Sequence, residues 1–125
     1  MAEGTGTAQK LVHKSLESPD ETRRFDNGRL DIANVGGATV GRFTLQPGWR
    51  WSEAVKPLAG TDWCEQTHIG YLVSGRLRTK LRDGSEVEAG AGDAVFTPPG
   101  HDAWVVGNET VVLLDVKGVE SYAKK

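Results

Sequence analysis

Cysteine is nearly absent from this chain. Cys64 is the only one in 125 residues, so no disulfide can close within it, and a reducing, cytoplasmic setting is the expectation. Nor does any apolar run approach the roughly 20 residues needed to span a bilayer. The first nine residues, Met1 to Gln9, have neither the basic start nor the apolar core of a signal peptide. An excess of one charge is missing as well. The 15 Lys and Arg stand against 17 Asp and Glu, interleaved, for a net charge of −2. This argues against nucleic acid or an anionic membrane as partner. The chain has no phosphate-binding glycine loop, so no nucleotide cofactor is expected. Gly-x-Ser-x-Gly, Cys-x-x-Cys and His-Glu-x-x-His are absent too. No segment repeats, and none shows helical periodicity.

Glycine is what the chain has in excess. Sixteen residues is nearly twice the usual share of about 7%, with no collagen-like period, which points to many tight turns between short strands. Turn signals recur at Asp26-Asn27-Gly28, Asn34-Val35-Gly36-Gly37, Pro47-Gly48, Asp83-Gly84, Gly90 to Asp93 and Gly107-Asn108. Between them the sequence predicts strands at Leu11–His13, Arg29–Ile32, Thr39–Leu45, Trp49–Glu53, Asp62–Val73, Ala94–Thr97 and Val111–Val116, the last buried on both faces. Pro57 to Gly60 reads as a loop. Arg76 to Arg82 alternates basic with apolar residues or Thr, and Glu86 and Glu88 alternate with Val87 and Ala89. A three-residue loop, Asp83 to Ser85, would pair Arg82 with Glu86 and Leu81 with Val87, leaving charges outside and apolar groups inside. The fold class is therefore all-β, a small sandwich or barrel with a jelly roll the natural choice. The chain divides into a flexible tail at 1–9, N-terminal strands and turns at 10–37 that pack on or pair with a barrel, the barrel at 38–118, and a C-terminal tail at 119–125.

Two stretches carry a family likeness. Gly92, five residues, then Pro98-Pro99-Gly100 forms one motif. Ile69-Gly70-Tyr71-Leu72-Val73-Ser74-Gly75, an apolar run closed by glycine, ends the other about 17 residues earlier. In this order, with a hairpin between them, they resemble the two motifs of the cupins, small double-stranded β-helix barrels. The resemblance covers about residues 38 to 116 and implies a cupin-like jelly-roll barrel, a small-molecule pocket and a homodimer. Cupins typically hold a divalent metal with His-x-His, a later Glu, and a last His three residues after the Gly of Pro-x-Gly. Aligned on Gly75, these positions fall on Asp62, Cys64 and His68, and the last falls on Ala103, so the usual three-histidine, one-glutamate set is absent.

In a regular strand Asp62, Cys64, Gln66 and His68 share one face, and His101 stands two residues ahead of the missing histidine. Cys64, His68 and His101 are thus the candidate ligands for a divalent metal. Their N and S donors suit Zn, or Ni, Fe, Mn or Cu. Asp62 and Glu53 are candidate acid–base groups or fourth ligands, and His68 is a candidate acid–base group in its own right. Trp51, Glu53, Gln66, His68 and Trp104 are the candidate ligand-binding residues, with Trp51 and Glu53 sharing a strand face. Three functions stay open: a metal-dependent enzyme on a small organic molecule, a metal-free binding or sensing module, and a structural dimer subunit without catalysis.

Overall fold

The computed structural model describes residues 10–124, so the sequence expectation for the 1–9 tail lies outside the described residues. Within them are nine strands and two one-turn helices: β1 Glu21–Phe25, β2 Gly28–Val35, β3 Ala38–Leu45, α1 Trp51–Ala54, α2 Lys56–Ala59, β4 His68–Ser74, β5 Arg76–Leu81, β6 Glu86–Gly90, β7 Ala94–Thr97, β8 His101–Val105 and β9 Val111–Lys117. All pairings are antiparallel. One sheet runs β1-β2-β3-β9-β4-β7 and the other β6-β5-β8. The fold is an all-β jelly-roll barrel. No helix among the described residues is long and apolar enough to cross a membrane.

Local chemistry explains most of the strand ends. Val35 faces Ala38 across a two-residue turn, Gly36-Gly37, whose φ angles of 57° and 84° are open to glycine without steric cost. Alternation then sorts side chains inward. Leu30, Ile32, Phe43, Leu45, Leu72 and Leu113 are buried in one apolar cluster with Trp49 and Trp51. Each such side chain stabilises the fold by roughly 1.5–3 kcal/mol.

Several expectations are corrected here. Leu11–His13 forms no strand and is exposed. Pro57 to Gly60 is not a loop throughout, because Lys56–Ala59 forms the helical turn α2. Val111–Val116 alternates buried with less buried residues, and Val116 is exposed; β9 is covered on its inner face. In the β5–β6 hairpin Lys80, not Arg82, opposes Glu86, and Thr79, not Leu81, opposes Val87. The ladder stops early because Asp83 accepts from Ser85 N–H and Oγ, and Leu81 N–H donates to Ser85 O, tightening a five-residue loop. A shift of two residues preserves parity. Arg76 and Arg78 still meet Glu86 and Glu88 on the outer face.

Trp49 to Glu53 is not a strand. Arg50 is extended, and the chain then turns into α1. The cause lies 50 residues away. The Asp102 carboxylate accepts from Ser52 N–H at 3.0 Å and Arg50 Nε at 3.2 Å, filling the role that α1's own N-cap side chain does not. The expected C-terminal tail also differs. Val119 and Tyr122 are buried, and Arg23 donates to the carbonyls of Val119, Tyr122 and Glu120 at 2.8, 2.8 and 2.9 Å. Gly41 makes room for this segment, since a Cβ there would come within 2.8 Å of Val119 Cγ1.

Candidate functional site

Cys64 precedes β4 in an irregular stretch, yet its backbone is pinned to the start of β8. Cys64 N–H donates to His101 O at 2.8 Å, and Gly100 and His101 N–H donate to Cys64 O at 2.7 and 3.2 Å. His68 opens β4, with Thr97 of β7 opposite. These constraints bring Cys64, His68 and His101, all buried, into one group whose ligand atoms lie within 4.8 Å of one another.

Both imidazoles are held in a defined tautomer. His68 Nδ1–H donates to Asp115 Oδ2 at 2.6 Å, and His101 Nδ1–H donates to the Pro98 carbonyl at 2.7 Å. A carboxylate and a carbonyl can only accept, so each neutral ring keeps its Nε2 lone pair for the cluster. His68 Nε2 lies 3.8 Å from Cys64 Sγ, close to the about 3.6 Å that separates S and N ligands around a tetrahedral zinc. The two rings stand 5.3 Å apart, near edge-on. Asp115 is fully buried and also accepts from Lys117 N–H at 3.0 Å. It is placed as the carboxylate that would orient His68 if that ring held a metal.

The electrostatics follow from this packing. Burial pushes the Cys64 thiol up, but hydrogen bonds from His101 and His68 outweigh it and bring the thiol down to about 6. Burial disfavours the His68 cation, but Asp115 and Cys64 outweigh it and raise the imidazole to about 9. Without a metal, Cys64 and His68 therefore form a thiolate–imidazolium pair near neutral pH. Tyr122 is raised well above its ordinary value, first by burial and then by the charges of Cys64, Asp115 and Asp102, so it stays a neutral phenol.

His68 and His101 face a cavity of about 370 Å³ between the sheets. Phe43, Trp49, Trp51, Leu77, Leu113 and Tyr122 supply much of its wall, and the exposed residues Ser85, Val87, Asp93 and Phe96 mark its mouth. Cys64 is not part of the wall and lies behind the two imidazoles.

Of the ligand-binding candidates, Trp51 and His68 line the cavity; Glu53, Gln66 and Trp104 do not. Trp51 and Glu53 share no face, because residues two apart on a helix diverge by about 200°. Gln66 donates to Ser121 Oγ at 3.1 Å. Trp104 lies under the Arg50 guanidinium, 4.2 Å from the ring centre. Asp62 is 87% exposed and pairs with Lys56 at 3.5 Å. The stretch before His68 is irregular, so the parity that would align Asp62 and Gln66 with Cys64 does not operate. Sequence reasoning missed Asp115, Trp49 and Tyr122. A lone acid inside the apolar run of β9 was a legible signal for Asp115, whereas nothing local marks Tyr122.

A cupin domain profile matches residues 41–117, more than half of the chain. The chain belongs to the cupin family. Solved structures with the same fold include oxalate decarboxylase from Bacillus subtilis, with 22% identity, TM-score 0.56, and 82% of this chain but 28% of that one covered. A protein of unknown function from Rhizobium leguminosarum bv. viciae 3841 shows 20% identity, TM-score 0.57, and coverage of 88% and 98%. A putative ethanolamine utilization protein from Salmonella typhimurium LT2 shows 19% identity, TM-score 0.53, and coverage of 77% and 76%. This cupin spans about a third of the length of the oxalate decarboxylases it matches. No curated protein sequence matches it. At these identities the likeness is one of fold, and fold alone does not carry function.

Proposed function

We propose that this cupin binds one divalent metal through Cys64, His68 and His101 and uses it on a small organic molecule held in the adjoining cavity. The observation that supports this is the convergence of three buried N and S donors within 4.8 Å, with Nδ1 of each histidine committed to an acceptor. The residues fit such an ion. One thiolate and two imidazoles suit zinc best, or nickel, iron, manganese or copper. A bound ion would act as a Lewis acid toward an oxygen of the organic molecule. The protein's own residues do the rest. Asp115 and the Pro98 carbonyl fix the imidazole orientations, Cys64 supplies negative charge from behind, and the apolar wall excludes water. The Tyr122 phenol is available as a hydrogen-bond donor. His68 fits a ligand role better than an acid–base one, since its Nε2 faces the Cys64 sulfur at 3.8 Å within the group of three donors. Glu53 and Asp62 are not proposed as acid–base groups or ligands, given their positions outside the cavity wall.

The test is elemental analysis of untagged protein purified without chelator. Near one metal per protomer, lost in His68→Ala, supports the reading; well below stoichiometry after reconstitution sinks it. A metal-free binding module is the second reading, favoured by the apolar cavity, which needs no ion to accept a ligand. We also infer a homodimer from the exposed Ile69, Tyr71, Val73, Phe96 and Val116, an apolar surface more extensive than scattered single residues. Sedimentation at a single-protomer mass would overturn it.

A further inference from the structure

Oligomer interfaces apart, the molecule's most specific unassigned feature is the charge pattern of the cavity. Among the described residues, its wall contains no lysine and no arginine. Its carboxylates, Glu88 and Asp93, are exposed residues at the mouth. Both are already engaged: Glu88 with Arg76 and Arg78, and Asp93 with Gly90 N–H. Inside, the wall is Phe43, Leu45, Trp49, Trp51, Leu77 and Leu113. Polar atoms gather at the deep side, where His68 lies within 5.6 Å of Tyr122 and 5.3 Å of His101, ring centre to ring centre. Behind that cluster sits the buried Asp115 carboxylate.

A carboxylate, phosphate or sulfonate entering this space sheds its water and meets no lysine or arginine among the described residues of the wall in exchange, and the His68 ring already has Asp115 at 2.6 Å and the Cys64 sulfur at 3.8 Å as its partners. A flat apolar ring loses little on dehydration and gains aromatic contact on several sides. The volume lies at the lower end of the range for small-molecule pockets, which limits the occupant to one or two rings.

We propose that the cavity takes an uncharged, flat, mainly apolar molecule of one or two rings, with a single hydroxyl or carbonyl oxygen turned toward His68, His101 and Tyr122. This rests on the reading of the cavity as the ligand site and names the class of molecule that site accepts. It does not depend on the metal, because the apolar wall and the pairing of His68 with Asp115 and Cys64 are properties of the chain itself.

The experiment is calorimetric titration of chelator-treated, metal-free protein with 2-naphthol and with 2-naphthoate near neutral pH, where the first is neutral and the second an anion. Saturable binding of 2-naphthol at one site, at least tenfold tighter than 2-naphthoate, is the expected result. Val87→Lys adds a cation at the exposed mouth without touching the core, and should narrow that gap to a few-fold by strengthening naphthoate binding. Equal or tighter binding of 2-naphthoate to the wild-type chain, or no binding of 2-naphthol at all, would overturn the proposal. The metal reading fails separately. If elemental analysis finds no stoichiometric metal while the naphthol preference holds, the ligand class stands without it; if metal binds and the preference is absent, the ligand class alone is wrong.

Discussion

Replacing Asp115 by Asn probes the orientation of His68 with almost no change of volume. Asp115 Oδ2 accepts the His68 Nδ1–H at 2.6 Å, and Oδ1 accepts Lys117 N–H at 3.0 Å. An asparagine has one oxygen for these two donors. If it keeps the bond to Lys117, its NH₂ faces His68, and the ring must turn to the tautomer protonated on Nε2, the atom needed by a metal. If the amide flips, Lys117 N–H is left facing a donor. The first course gives up the Nε2 lone pair; the second leaves a donor unmatched, a loss of about 1–3 kcal/mol. Carboxylates behind ligating histidines typically contribute 10–100-fold in metal affinity, which is about 1.4–2.7 kcal/mol. Competition with a chromophoric zinc chelator measures that directly. The accompanying loss of stability, read by urea unfolding, should disappear in a His68→Ala background, because a positioning residue has nothing left to position. A folded Asp115→Asn protein with affinity within threefold of wild type would refute the argument.

Three further outcomes follow from the same structure. Arg23→Ala removes three hydrogen bonds to the carbonyls of Val119, Glu120 and Tyr122. It should lower stability by about 2–4 kcal/mol and open residues 118–124 to limited proteolysis; unchanged urea unfolding would contradict the clamp. At Gly118, φ is 96°, and an added Cβ would collide with Thr67 O and approach His68 Nδ1 to 3.0 Å. Gly118→Ala should therefore cost about 2 kcal/mol or more and weaken metal binding, which a melting curve and the chelator assay together detect. For Asp31, burial raises the carboxyl, but bonds from Thr22, Arg29 and Arg42 outweigh it and hold it below the usual range. A depressed carboxyl contributes stability that is full above its unfolded pKa and is lost as pH falls through the folded value. Urea midpoints from pH 7 down to 3 should fall more steeply for wild type than for Asp31→Asn, and parallel curves would refute the assignment.

Features that depend on neighbours along the chain are legible in the residues alone. Alternation and glycine-marked turns specified short antiparallel strands, and the period-two charges of Arg76 to Glu88 assigned the faces of that hairpin even where its register was off by two residues. The spacing of Gly75, Gly92 and Gly100 identified the family, which the profile over residues 41–117 bears out. Cys64, His68 and His101 are nominated as a group by strand parity and the Pro-Pro-Gly turn, and they do lie together, but what joins them is the bridge from Cys64 to His101 rather than parity, since the stretch before His68 is irregular. The remaining features arise from contacts between segments far apart along the chain. Trp51 to Ala54 is helical because Asp102, distant in sequence, caps Ser52. Asp115 reaches His68 because β9 lies between β3 and β4. Tyr122 joins the cavity because Arg23, almost a hundred residues earlier, holds the backbone that carries it. Local periodicity records which face a side chain takes within its own strand. Which distant donor meets which acceptor is settled only when the sheets close.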